Sequence, residues 1–390
     1  MDKTRICLLP PKAKIEVSRA IRYALCAPRD WWPFERNQDE RIEPGIALEI
    51  RPSDKGRYLT ALLRMAGNIQ QSKEIFLSTF WQTQFESLGA TPKPTVGRVD
   101  RVTAVLRRRL RGGKIETDTE WEKVARVVLA QARAERFPSR FLRFDHLTEN
   151  FEEFRTDYWR QHQAGAPDSE WVEFEKRSLA DSITYLCRRE ILHQGHEWSC
   201  RECYNKNWLG IDDISRSMKC NICGNTQSPP VAGPWHFKLN EFVGEAIREQ
   251  GLLPVIWCLS RLSRVARNSF FFLESQELFF SEESVDAKKN DAELDLLVVS
   301  DGRVYLCEAK ASRSDIDVEK IANLAIRIRP DVVVLAVMES SGSALQTMLA
   351  QLQERLSGTG IAADLFTLAN GDLEDSPLLP TGRTKRVRLF

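Results

Sequence analysis

The sequence predicts an α/β C-terminal domain, with a mixed central sheet flanked by helices. A small cysteine-bound module and a mainly helical N-terminal half precede it. Three observations carry this. Two β-prone runs, Leu296 to Val299 and Val304 to Cys307, flank the turn signal Ser300-Asp-Gly-Arg303. A helical pattern and then a short apolar run of buried-strand type, Asp331-Val-Val-Val-Leu-Ala-Val337, follow. Upstream, Cys200-Arg-Glu-Cys203 and Cys220-Asn-Ile-Cys223 form two Cys-x2-Cys pairs separated by sixteen residues.

The hairpin carries the chemistry. Antiparallel strands joined by a short turn bring Asp295 and Glu308 to the same end. Lys310 lies two residues beyond Glu308, so it falls on the same strand face. Paired carboxylates suit a hard divalent cation, which takes oxygen ligands. A lysine beside them can hold a water and neutralise a phosphate oxygen. Together these point to phosphodiester cleavage. Glu293 alternates to the same side as Asp295, and either assists or caps the strand at the surface.

Upstream, Phe242-Val-Gly-Glu245-Ala-Ile-Arg-Glu-Gln-Gly251 fits a helix, with Phe242, Ala246 and Ile247 at helical spacing and Gly251 as its stop. Ile316 to Ile328 is a second helical pattern. Between Glu245 and Asp295 the runs Leu252 to Leu259 and Phe270 to Phe280 predict one or two extra strands.

The order helix, strands, acid, acid-x-lysine, helix, strand over residues 235 to 340 resembles the PD-(D/E)xK, restriction-endonuclease-like nuclease superfamily, and more closely its Holliday-junction-resolvase-like branch. The resemblance implies a restriction-endonuclease-like domain over residues 235–368 and an Mg²⁺-dependent endonuclease, with Mn²⁺ as a substitute. It implies that Asp295 and Glu308 hold the cation with the backbone carbonyl of Ala309, and that Lys310 orients the attacking water. Glu245 supplies the helix acid, with Glu249 and Glu274 as alternatives. Cleavage leaves 5′-phosphate and 3′-hydroxyl ends. DNA is the expected substrate, in bacterial antiphage or restriction-type defence. An RNA or DNA-repair nuclease on the same fold stays open, as does a non-catalytic adaptor that binds nucleic acid or protein through the cysteine module.

The four cysteines Cys200, Cys203, Cys220 and Cys223 match the tetrahedral zinc pattern, and Gly224 lets the chain turn tightly after the second pair. The segment resembles a zinc ribbon, assigned to residues 191–228. Four thiolates close the coordination, so the Zn²⁺ is read as structural; disulfides or a redox pair are the alternatives. Zinc gives folding energy to a segment too short for its own core. The other cysteines, Cys7, Cys26, Cys187, Cys258 and Cys307, are scattered in mostly apolar surroundings and suit a reducing cytoplasm. With no signal peptide and no apolar run of transmembrane length, the expected location is cytoplasmic, with no membrane partner.

A net charge of +1 over 390 residues announces no nucleic-acid binder, so phosphate-binding surface must come from local clusters. The clearest is Arg98, Arg101, Arg107, Arg108, Arg109, Arg111 and Lys114, opposite the apolar Val99, Val102, Val105, Leu106 and Leu110. This basic helix face either tracks a nucleic-acid backbone through Arg101, Arg107, Arg108 and Arg111, or is a solvated or internally paired surface. It belongs to a helical region over residues 96–190, which follows a mixed α/β region over residues 1–95. Residues 369–390 form a basic tail with Arg383, Lys385, Arg386 and Arg388. Tyr58 to Phe85, Phe151 to Tyr158 and Trp171 to Ile191 read as helices, Ile46 to Ile50 as a short strand, and Thr117-Asp-Thr-Glu120 as a capping box. Trp31, Trp32, Trp81, Trp121, Trp159 and Trp171 read as packing residues rather than base-stacking platforms. There is no Gly-rich phosphate loop, so any ATP-driven step falls to a separate ATPase or helicase subunit. A homodimer that cuts both strands is the expected assembly.

Overall fold

The structure, a computed structural model, describes residues 47–90, 103, 106–107, 117–135, 141–161, 169–204, 206–214, 217–228, 233–369, 372–373 and 378–379. Trp31, Trp32, Arg98, Arg101, Arg108, Arg109, Arg111, Lys114 and the basic residues of the tail lie outside them. The chain is mixed α/β and divides into two compact units. One comprises residues 1–61, 93–125 and 250–372, the other residues 62–92, 126–249 and 373–390.

The first unit is built on a five-stranded sheet. Its strands are β8 (Phe270–Leu273), β11 (Leu296–Ser300), β12 (Arg303–Lys310), β13 (Val332–Val337) and β14 (Ala362–Thr367), in the order β14-β13-β12-β11-β8. β8, β11 and β12 are antiparallel; β13 and β14 run parallel to β12. The expected hairpin is therefore present, with Leu296 opposite Cys307 and Ser300 opposite Arg303. Asp301 and Gly302 both take positive φ, 49° and 79°, the left-handed pair that a two-residue hairpin turn requires.

Helices cover both faces of this sheet. Leu297, Leu306, Val333 and Leu335 share a core with Ile321, Ala325 and Ile328 of α10 (Val318–Ile328) and with Leu352 of α11 (Ser343–Arg355). The alternate residue Cys307 instead meets Cys258 of α8 (Leu252–Val265), which packs on β11, β12 and β13. The run Leu252 to Leu259 is thus a helix, where the sequence predicts a strand. An apolar run of that length carries no periodicity to tell the two apart. Here Pro254 falls in the first helical turn, where its missing N–H costs nothing. Phe270 to Phe280 does form two strands, β8 and β9 (Gln276–Phe279).

β9 belongs to a second, three-stranded sheet, β1-β9-β10, with β1 (Glu49–Pro52) and β10 (Ala292–Leu294). β1 lies three residues later than the expected Ile46 start. It joins this unit through an antiparallel register that sets Pro52 opposite Gln276. Residues 49–61 therefore fold with the C-terminal sheet, while His236 to Glu249 belong to the other unit. The two units meet in the chain between residues 249 and 250.

The second unit is helical on one side. α2 (Ile69–Phe76), α3 (Thr79–Ser87), α5 (Phe144–Gln161) and α6 (Ser169–Arg188) bury Phe76, Phe80, Trp81, Phe85 and Phe151. Phe80 meets Phe151 edge-on at 6.0 Å, and Trp81 is fully buried, as a packing residue should be. A four-stranded sheet follows, β2-β7-β3-β4, from β2 (Leu142–Arg143), β3 (Leu192–Ser199), β4 (Lys206–Gly210) and β7 (His236–Leu239). The short pair β5 (Met218–Lys219) and β6 (Thr226–Gln227) and the helix α7 (Glu241–Arg248) complete the unit. α4 (Asp118–Glu135) begins in the first unit with the expected capping box. Thr117 Oγ1 accepts from the Glu120 amide at 3.3 Å, and Glu120 Oε2 accepts from the Thr117 amide at 3.2 Å. Trp121 is buried in its first turn. Among the described residues no helix is long and apolar enough to cross a membrane.

Candidate functional site

β12 pairs with β11 up to Cys307 and with β13 through Lys310, so its C-terminal end is held by β13 and by the Asp295 contact on the other edge. Alternation puts Glu308 and Lys310 on one face and the buried Ala309 on the other. Asp295 sits where the chain leaves β10 of one sheet and enters β11 of the other, in line with Glu308 across the hairpin. It is almost wholly buried, with 4% of its side chain exposed. The three residues converge. Lys310 Nζ donates to Asp295 Oδ2 and lies 2.9 Å from both that oxygen and Glu308 Oε1. The Ala309 amide also donates to Asp295 Oδ2, at 3.0 Å.

A fourth group joins them that sequence reading missed. Lys55 Nζ donates to Asp295 Oδ1 at 2.6 Å, from 240 residues away. Lys55 stands in the first turn of α1 (Asp54–Ala66), directly after β1. The Ser53 amide donates to the Ser275 carbonyl at 3.1 Å, and the Ser53 hydroxyl to Ser275 Oγ at 2.9 Å. Ser275 Oγ in turn donates to Glu293 Oε1 at 3.0 Å. Glu293 thus anchors the serine link beside the site, and the serine link anchors α1. No local pattern around Lys55 announces its partner, because the pairing exists only once β1 has added to β9.

The electrostatics follow from this crowding. Burial alone would raise the Asp295 carboxyl, but the ammonium groups of Lys55 and Lys310 outweigh it and hold it below the usual aspartate range. Burial, and then the charge of Asp295, push Glu308 above the usual glutamate range. Burial works to lower Lys310, but the two carboxylates prevail and raise it above an ordinary lysine. The second oxygen of Glu308 accepts no protein hydrogen bond among the described residues. Glu245 lies on α7, in the second unit. α8, the helix on the Cys307 face of the hairpin, contains no Asp or Glu.

The four cysteines gather within the second unit. Their sulfurs all lie within 4.8 Å of one another. Cys200 and Cys223 are 3.5 Å apart, and Cys203 and Cys220 are 3.6 Å apart. A disulfide needs about 2.05 Å. A tetrahedral zinc with Zn–S bonds of about 2.3 Å spaces its sulfurs by about 3.8 Å. The donor set and spacing therefore fit a closed thiolate site for a metal ion such as zinc. The two knuckles are alike: Tyr204 N–H donates to the Cys200 carbonyl at 3.0 Å and Gly224 N–H to the Cys220 carbonyl at 3.1 Å. Both following residues are left-handed, Tyr204 with φ 58° and Gly224 with φ 72°. The backbone amides of Cys223 and Ile222 hold the Cys220 thiol down to about 6, against an opposing effect of burial. For Cys223 the Asn225 amide also lowers the thiol, but burial and the three neighbouring sulfurs carry it to about 12. Like charges crowded in this way are relieved by a cation. Asn207, itself buried, donates to Cys220 Sγ at 3.7 Å and accepts from the Asn221 amide at 3.0 Å. Among the described residues, Trp198, Met218 and Leu209 form a small core around the sulfurs.

Of the basic helix, Arg107 is the one site residue among those described. Its guanidinium pairs with Asp118 at 2.5 Å, so an internal acidic partner engages it. No known protein-family model matches the chain, and no curated protein or solved structure matches it. Fold and site therefore define a mixed α/β protein with a four-cysteine centre and a buried carboxylate–lysine cluster.

Proposed function

We propose that the chain is a metal-dependent endonuclease acting on DNA, built on a restriction-endonuclease-like core. The single observation that carries this reading is the convergence of Asp295, Glu308 and Lys310 at one end of a hairpin. That hairpin lies within a mixed sheet covered by helices on both faces. The cluster is oxygen-rich and water-accessible at Glu308, which suits Mg²⁺ or Mn²⁺. Asp295 and Glu308 would hold the cation, with the Ala309 carbonyl; when bound it would supply charge neutralisation and a more acidic water. Lys310 orients the attacking water and offsets charge on the scissile phosphate. Water attacks phosphorus in line, the P–O3′ bond breaks, and the 3′ oxygen leaves as a hydroxyl. Glu245 is assigned the helix-acid role on the strength of the family resemblance alone, and Glu245→Gln tests it.

The direct experiment incubates the protein with plasmid, linear duplex, single strands and RNA, with Mg²⁺ or with chelator. Mg²⁺-dependent DNA cleavage by the wild type, lost in Lys310→Ala and Asp295→Ala, is the expected result. Undiminished cutting by both variants sinks the assignment. RNA cleavage alone favours an RNA nuclease. Silence in every lane favours an adaptor subunit, a reading drawn from the exposed Tyr204 and Ile222 on the cysteine knuckles. Pull-down of an ATPase and sedimentation for a homodimer test the expected partners.

A further inference from the structure

One charged group of the cluster, Lys55, takes no part in the proposed hydrolysis. Lys55 is placed with care. The Gly56 amide donates to Ser53 Oγ at 3.1 Å, and a Cβ at Gly56 would lie 2.2 Å from the Ser275 carbonyl oxygen. The start of α1 is thereby pressed onto the chain between β8 and β9, and Lys55 reaches Asp295 with 13% of its side chain exposed.

The two lysines are not equivalent. Lys310 has two carboxylate partners and keeps one if the other changes. Lys55 has Asp295 as its partner among the described residues. Asp295 Oδ2 is fixed twice, by Lys310 and the Ala309 amide, whereas Oδ1 takes Lys55. Oδ1 is thus the oxygen that can exchange its partner, and Lys55, on a flexible four-carbon stem, is the group that can leave. Charge points the same way. Two carboxylates and two ammonium groups make a neutral cluster. A divalent cation added to it leaves a surplus of positive charge that a phosphodiester and a hydroxide would balance.

Resting on the nuclease reading, we propose that Lys55 competes with the divalent cation for Asp295. It moves onto a phosphate oxygen when cation and nucleic acid bind together. Cation uptake is therefore weak in the absence of nucleic acid and strong in its presence, so the site is assembled by its substrate.

The test is Mn²⁺ binding to the full-length, zinc-loaded protein, read from the paramagnetic resonance signal of unbound Mn²⁺, with and without a short phosphorothioate DNA duplex. Lys55→Met and Lys55→Gln remove the competing charge and should bind Mn²⁺ about tenfold more tightly without DNA. Lys55→Arg keeps the charge and should behave as the wild type, and Asp295→Asn should bind weakly. The tightening of Mn²⁺ binding by DNA should shrink in Lys55→Met. A lysine that stayed on Asp295 throughout would leave the tightening of Mn²⁺ binding by DNA unchanged on removal, whatever its effect on affinity without DNA. Equal or weaker Mn²⁺ binding by folded Lys55→Met and Lys55→Gln, beside a wild type that binds and cuts, overturns the role of Lys55 alone. A wild type that takes up no Mn²⁺ even with DNA overturns the nuclease reading and this proposal with it.

Discussion

The Lys310 ammonium lies 2.9 Å from Asp295 Oδ2, across fifteen residues of hairpin. Neither group is replaceable in the proposed chemistry, because one holds the cation and the other the water. Lys310→Ala and Asp295→Ala should each lower DNA cleavage by about 100-fold or more. The two should differ in stability. Lys310→Ala leaves Asp295 paired with Lys55, whereas Asp295→Ala takes the ion-pair partner from the partly buried Lys55 and leaves Lys310 with Glu308 alone. Thermal unfolding beside single-turnover cleavage separates the effects: Asp295→Ala should melt lower than Lys310→Ala.

The opposite shifts of the two carboxyls give a pH signature. Glu308 is raised above its unfolded value, so the folded state binds more protons and stability falls as pH rises through the raised pKa. Without a divalent cation, Glu308→Gln should therefore raise the melting temperature at neutral pH and leave it unchanged well below that pKa. Asp295 is depressed, so its stabilisation is present above its unfolded value and is lost as pH falls through the folded one. Asp295→Asn should lower the melting temperature at neutral pH and converge with the wild type in acid. Melting curves against pH for the three proteins check both signs; since acid also strips metal from thiolates, the comparison is made at equal pH. A neutral-pH destabilisation by Glu308→Gln contradicts the account.

What the sequence made legible was local. The Asp301-Gly302 turn fixes the register of β11 and β12, so the local stretch Asp295 to Glu308 suffices to place its two end carboxylates opposite each other. The cysteine pairs work in the same way, since each knuckle is a short loop. Lys55 was illegible because its site depends on a strand pairing, β1 with β9, that spans most of the chain. Leu252 to Leu259 failed for another reason. A segment buried on all sides shows no polar face, and the hydrophobic pattern that separates helix from strand disappears. Glu245 rests on the family order of a helix before the hairpin; in the chain the buried helix α8 lies between them and packs on one face of the sheet, while α10 and α11 cover the other.

The four-cysteine centre should hold about one zinc per chain, measured by elemental analysis of the purified protein. Cys203→Ser or Cys220→Ser should lose that zinc and destabilise the second unit, since Trp198, Met218 and Leu209 form too small a core alone. Asn207 gives a finer test. It orients the Cys220 sulfur and braces the second knuckle through Asn221. Asn207→Ala should weaken zinc affinity about tenfold in competition with a chelating dye, without changing the stoichiometry at saturation. Unchanged affinity would remove Asn207 from the account.

Gly56 tests whether the N-terminal segment belongs to the site or only lies near it. A methyl group there meets the Ser275 carbonyl oxygen at 2.2 Å, a backbone atom that cannot swing away. Gly56 sits in a helix, so alanine carries no conformational penalty of its own and even favours the helix slightly. Any loss comes from the clash. Gly56→Ala should destabilise the first unit by about 1–3 kcal/mol, and the start of α1 should move off the β8–β9 connection. Because Lys55 precedes Gly56, its reach to Asp295 should lengthen as well. Chemical denaturation measures the first effect; a rise in the Mn²⁺ affinity of the folded protein, in the direction expected for Lys55→Met, measures the second. A Gly56→Ala protein as stable as the wild type would show that β1 and α1 yield to the added methyl, and that their hold on Lys55 is loose.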